Sequence, residues 1–377
     1  MDRRLSLSIL VILAWHVTSC HALGRTTDQF VDYFPTFDTF TKPHILTRCR
    51  EEYSNYTDGS LEEPPGRHIY SGALLDCILD QVLTETEKAG MAVTGILFAL
   101  LPVLLANIGP TVSELSFLAV RRPILAALLA YGSLSPNPAS PMSFEDLEEL
   151  VEKRKKTRDP FAKLRFLKRP NPLVLTIISV GQYVIGIAAT ANSFFQIWRL
   201  TYRGVSIAPI VVYIAGLPEE TTLFGWAVLA LPVHILGFMA FRLAYLREPA
   251  SSKGGRFRRM LIHEFTPSLY KTGFDLQPRE NLVALQAFFS FAVRLCASLH
   301  IIAGSALLGS VYFVFLADSL IVIYSFVASA MATRLVLEFE LLGLGRALKE
   351  REAESSDGGV GASGPLLVNS SKTENQF

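Results

Sequence analysis

Five apolar stretches, each of about 20 residues, dominate this chain and restrict what it can fold into. They run Gly90–Ile108, Leu173–Trp198, Thr222–Leu246, Leu282–Ala303 and Ala306–Met331. A helix rises about 1.5 Å per residue, so each is long enough to cross the ~30 Å hydrocarbon layer of a bilayer. The expected fold is all-α: a polytopic membrane bundle of five transmembrane helices with a small N-terminal luminal segment. Composition agrees, because only 18% of the 377 residues are charged, against about a quarter in soluble domains. No basic domain of the kind that binds nucleic acid is present. No CxxC or HExxH spacing suggests a metal, and nothing implies a cofactor.

A sixth apolar stretch, Val112–Leu134, is interrupted by Glu114, Arg121, Arg122 and Pro123. Neither piece is long enough to cross. The expectation is a pair of interfacial helices within a cytosolic loop, 109–172, lying on the membrane or packed under the bundle.

The first residues read as a secretory signal, 1–22. Arg3 and Arg4 precede a short apolar run, and small residues at Cys20 and Ala22 suit cleavage. Residues 23–89 would then enter the secretory lumen, where disulfides persist. Cys49 and Cys77 are expected to pair there, and Asn55-Tyr56-Thr57 is a glycosylation sequon. Cys296 lies in an apolar segment and reads as an inert core thiol.

Five spans place the two termini on opposite sides. Lys and Arg number 23 on the expected cytosolic side and 8 on the luminal side, the bias that fixes orientation in membranes. This puts 247–281 in a basic cytosolic loop and 332–377 in a cytosolic tail, disordered after about 355. The destination is a secretory-pathway membrane, endoplasmic reticulum or plasma membrane. In the first cytosolic loop a helix capped by Ser143 leads into a basic stretch rich in aromatics and leucines. Lys153, Lys155, Lys156, Lys163, Arg165, Lys168 and Arg169 are expected to rest on the anionic lipids of the cytosolic leaflet.

Inside the spans, Gln182, Asn192 and Gln196 mark a polar face on the second and Gln286 one on the fourth. His234, Arg294 and Asp318 each fall twelve residues into a span. Gly304-Ser305 reads as the turn between spans four and five, which would set Arg294 beside Asp318 on antiparallel neighbours. An ion pair at the midplane follows, with His234 near it. Ionisable groups at that depth are costly and mark either a packing lock or a transport site.

The block Leu101-Pro102-Val103-Leu104-Leu105-Ala106-Asn107-Ile108-Gly109-Pro110-Thr111-Val112-Ser113-Glu114, with Arg121-Arg122-Pro123 after it, resembles uncharacterised multipass membrane proteins of filamentous fungi. That family has no assigned activity, so the resemblance implies a topology and no functional residue. No GxSxG elbow or assembled nucleophile and base is evident, so an enzyme is not expected. The leading expectation is a membrane scaffold that binds protein partners. The alternatives are a transporter or channel with a midplane polar site, and a receptor-like sensor reading a ligand through its luminal segment.

Overall fold

A computed structural model describes residues 29–58, 69–137, 172–211, 221–247, 264–268, 276–278 and 282–357. The expected signal segment, the helix expected from Ser143, the basic residues Lys153 to Arg169 and the tail beyond Asp357 lie outside the described residues.

Among the described residues four short helices come first: α1 Pro35–Phe40, α2 Lys42–Arg48, α3 Arg50–Asp58 and α4 Ile69–Cys77, the last continued by a wider turn over Ile78–Val82. Then come α5 Glu85–Ile108, α6 Val112–Ala119, α7 Pro123–Ser133 and α8 Pro172–Tyr202. A two-residue strand, β1 Val205–Ser206, precedes α9 Ile207–Val211 and α10 Thr221–Ala244. Two three-residue strands, β2 Tyr245–Arg247 and β3 Leu276–Pro278, pair antiparallel ahead of α11 Val283–Gly309. Finally β4 Val311–Tyr312 leads into α12 Leu316–Asp357. Helices α5, α8, α10, α11 and α12 are long and apolar enough to span a membrane. The protein is an all-α polytopic membrane bundle.

The residues before α5 form a cap on one end of the bundle. Cys49 and Cys77 are joined by a disulfide that ties α4 to the end of α2. Phe30, Tyr33, Phe37, Ile45, Tyr56 and Leu74 make a small core around them. Phe313 enters the same core from the turn between α11 and α12, its ring 5.1 Å from Phe37. Burial pushes the Tyr33 phenol above its ordinary pKa. The cap is braced underneath by β1 and β4, which pair antiparallel and join the ends of α8 and α11. Asn55 is exposed on α3.

Helix α5 starts five residues before its apolar run. Thr84 and Glu87 form a reciprocal capping box, with the Thr84 N–H donating to Glu87 Oε2 at 2.8 Å. That box satisfies the first free N–H groups, so the polar turn before Gly90 is helical. Small residues let the helices approach closely. A methyl group at Gly304 would sit 2.5 Å from Trp226 Nε1, and one at Gly237 would sit 2.3 Å from Val112 Cγ1.

One expectation needs correction. Gly304-Ser305 is not a turn: α11 runs through it to Gly309, and the real turn is 310–315. Gly304 is there to receive the Trp226 indole from α10, not to end a helix. For 109–137 the structure shows the packed arrangement, and more deeply than under the bundle. Helices α6 and α7 are packed into the bundle, with Phe117, Leu118, Leu125 and Leu129 fully buried against Phe241 of α10 and Leu337 and Leu341 of α12. Arg121 and Arg122 did not prevent this, because partners inside the protein meet them.

Candidate functional site at a re-entrant hairpin

The helical path continues past the end of the first span at Ile108. After Gly109-Pro110 a second capping box, Thr111 with Glu114, starts α6 in the same direction. The chain turns at Val120–Arg122, and α7 returns alongside α8. Pro123 holds the first position of α7, where its missing N–H costs nothing. The return runs from Arg122, beside Ser179, to Gly132, whose carbonyl accepts from Ser193 Oγ at 2.9 Å. This is a climb of about 15 Å toward the cap. It ends at Leu134, in the left-handed conformation (φ 58°). From there Asn137 closes back on the break in the first span, its carbonyl accepting from the Val112 N–H at 3.0 Å. Two stretches of non-helical backbone, 109–111 and 134–137, therefore meet inside the bundle.

The tip of this hairpin carries a dense ionic cluster. Arg122 is 0% exposed. Its guanidinium donates to Glu340 Oε1 at 2.8 Å, Gln182 Oε1 at 2.5 Å, Ser179 Oγ at 2.9 Å and the Glu264 carbonyl at 2.7 Å. Glu340, on α12, also accepts from Gln182 Nε2 at 2.6 Å, the Ser268 N–H at 3.0 Å and Ser268 Oγ at 2.5 Å. Arg121 donates to the carbonyls of Thr266, Pro267 and Ser268. The segment 264–268 thus lies as a strap across the tip. On the other side of the hairpin, Arg334 of α12 grips Glu114 through both guanidinium nitrogens and bonds Glu338 at 2.6 Å. A forked guanidinium suits such two-point contacts.

The root of the hairpin is more open in its hydrogen bonding. His300 stacks on Trp226 with ring centroids 5.1 Å apart, and its Nε2 donates to the Leu134 carbonyl at 3.2 Å. Trp226 Nε1 donates to the His300 carbonyl at 3.0 Å. Ser135 Oγ donates to the carbonyl of Pro102, the proline inside α5. His234 is 7% exposed, and both its ring nitrogens are buried with no hydrogen bond among the described residues. It stands one helical turn from Gly237, which packs on Val112 where α6 begins. Ser113 Oγ is likewise buried without a hydrogen bond among the described residues.

Of the residues singled out from sequence, Gln182 belongs to the ionic cluster. Asn192 donates to the Ser325 carbonyl and to Ser329 Oγ, tying α8 to α12, and Gln196 donates to Asn192 within α8. Gln286 is half-buried near the far end of α11 and stands apart. Arg294 and Asp318 do not pair. Arg294 lies fifteen residues before the end of α11, about 22 Å down its axis. Asp318 sits in the first turn of α12 under the cap, where it accepts from the Thr36 N–H at 3.2 Å. The misplaced turn at Gly304 caused the error. Cys49, Glu52 and Cys77 cluster closely enough to hold a metal, but both thiols are spent in the disulfide.

Sequence reasoning passed over Arg122, Glu264 and Glu340 as site residues. Comparison with protein-family models, curated proteins and solved structures finds no match.

Proposed function

We propose that this membrane protein moves a small polar solute or ion, with the α6–α7 hairpin organising the pathway. The carrying observation is the paired break at 109–111 and 134–137 inside the bundle. Non-helical backbone at membrane depth is kept where it is buried in protein or borders a water-filled passage, and broken helices frame the binding sites of many carriers. Support comes from His234 and Ser113, polar groups beside the first break with no hydrogen bond among the described residues. The cap would face the lumen or cell exterior, given its disulfide, its sequon and the basic bias of the opposite loops.

Scaffolding is the second reading, favoured by how fully Arg122 and Glu340 are bonded. One experiment separates the two. Cys296 is replaced by Ala, single cysteines are placed at Ser113, His234 and Ser135, and sealed vesicles are treated with a membrane-impermeant cationic thiol reagent. A transport pathway predicts modification of at least one of these from one side. Three unreactive positions in folded protein would leave the scaffold.

A further inference from the structure

We infer that the N-terminus of α7 is a carboxylate-binding site and that Glu264 is its internal occupant. Helix α7 has no side-chain cap of its own; the residue before it is Arg122. The Leu125 N–H, free because it lies in the first turn, donates instead to Glu264 Oε1 at 3.0 Å. Tyr183 OH donates to the same oxygen at 2.5 Å. The Arg122 guanidinium, over the Tyr183 ring at 5.3 Å, bonds the Glu264 carbonyl. A helix N-terminus, a phenol and a fully buried arginine make a receptor for one negative charge.

The fit of Glu264 to this receptor is incomplete. Its residue is 1% exposed, yet Oε2 is buried with no hydrogen-bond partner among the described residues. An N-cap fixed for stability alone is normally supplied by a short side chain adjacent in sequence. Here it comes from the strap, 139 residues away in the chain. Withdrawal of 264–268 would leave the Leu125 N–H, Tyr183 OH and Arg122 Nε together without an acceptor. A small carboxylate of the acetate type replaces what they lose. The strap and such a ligand therefore compete for one site at the tip of the re-entrant hairpin, on the end of the bundle opposite the cap. The inference goes beyond the transport reading, since a carboxylate could gate the tip of a scaffold as well.

Thermal unfolding of the full-length protein in detergent tests it without any flux measurement. Glu264→Ala should melt below the parent. Sodium acetate at about ten times its Kd should return about 2 °C of that loss. Acetamide, of the same shape but uncharged, and chloride at matched ionic strength should return none. Glu264→Ala with Tyr183→Phe should lose most of the acetate response. A folded Glu264→Ala protein that ignores acetate, or responds equally to acetamide, would overturn the proposal. If Glu264→Ala yields no folded protein, hydrogen exchange on the parent decides. Saturating acetate should speed exchange of the Ser268 N–H, now held by Glu340, and unchanged exchange would overturn the proposal. A specific acetate response with unreactive cysteines at the hairpin root would keep this site while ending the transport reading.

Discussion

Replacing Arg122 by Met should be among the most damaging single changes in this protein. Arg122 and Glu340 are both 0% exposed, and the guanidinium supplies four hydrogen bonds to four different acceptors. Methionine removes the counter-charge of Glu340 and the donors to Ser179, Gln182 and the Glu264 carbonyl. Glu340 keeps Gln182 Nε2 and both donors of Ser268, so its carboxylate is solvated but uncompensated. Breaking one side of a buried pair costs about 3–5 kcal/mol. Glu340→Met should cost a similar amount, because it leaves the cation unpaired. The double replacement removes both charges, so it should lose much less than the two losses added. A coupling of at least about 2 kcal/mol is expected. Arg122→Lys keeps the charge but not the fork, and should fall between Met and the parent. The assay is reversible unfolding in mixed micelles by a denaturing detergent, read by loss of helical circular dichroism. Additive losses in the cycle, or a loss below about 1 kcal/mol for Arg122→Met, would refute the reasoning.

Four further outcomes follow from the packing. Removing the disulfide by Cys49→Ala with Cys77→Ala releases a loop with sequence separation 28, worth about 3–4 kcal/mol in chain entropy; melting with and without reductant checks it, and equal values would contradict it. Gly304→Leu drives a side chain into Trp226, 2.5 Å from the first added carbon, and should destabilise by about 1–3 kcal/mol, read in the same unfolding titration. Exchanging the charges by Arg294→Asp with Asp318→Arg should show no mutual rescue of melting temperature, since the two lie about 20 Å apart along the helix axes; restored stability would put them side by side. Expressed in a secreting eukaryotic cell, the protein should carry a glycan that Asn55→Gln removes, seen as a gel shift on endoglycosidase treatment; a glycan instead on the second sequon, Asn369-Ser370-Ser371 in the expected cytosolic tail, would invert the proposed orientation.

The five spans were legible because crossing a membrane is a demand on composition alone. Leu173 to Trp198 contains no ionisable residue other than Tyr183, and no tertiary contact is needed to read that. Their ends were less legible, because the ends answer to hydrogen bonding. Thr84 and Glu87 extend α5 through residues that hydropathy excludes, and the same T-x-x-E spacing at Thr111 and Glu114 starts α6 where apolarity alone shows only a broken stretch. That spacing was in the sequence as a local signal, and it marks both starts correctly.

Gly304 and Arg122 show where local signals stop. A glycine can end a helix or admit a neighbour, and which it does at 304 depends on Trp226, 78 positions earlier in the chain. Reading it as a turn moved Asp318 from the cap to the midplane and created an ion pair that the fold does not contain. Arg122 is the converse case. An arginine between two apolar pieces too short to cross reads as an interfacial anchor, because burial without partners would be prohibitive. The partners exist, but Ser179, Gln182, Glu264 and Glu340 come from three separate segments. Neither sequence spacing nor periodicity links them. Only Glu338 and Glu340 left a trace, as two acids within the apolar run Leu335–Leu344. An acid there requires a cation at the same depth, and among the described residues Arg334 and Arg122 answer the two. The buried charges in this bundle are therefore best found by asking which opposite charge a chain can lift to the same level, not which lies nearest in sequence.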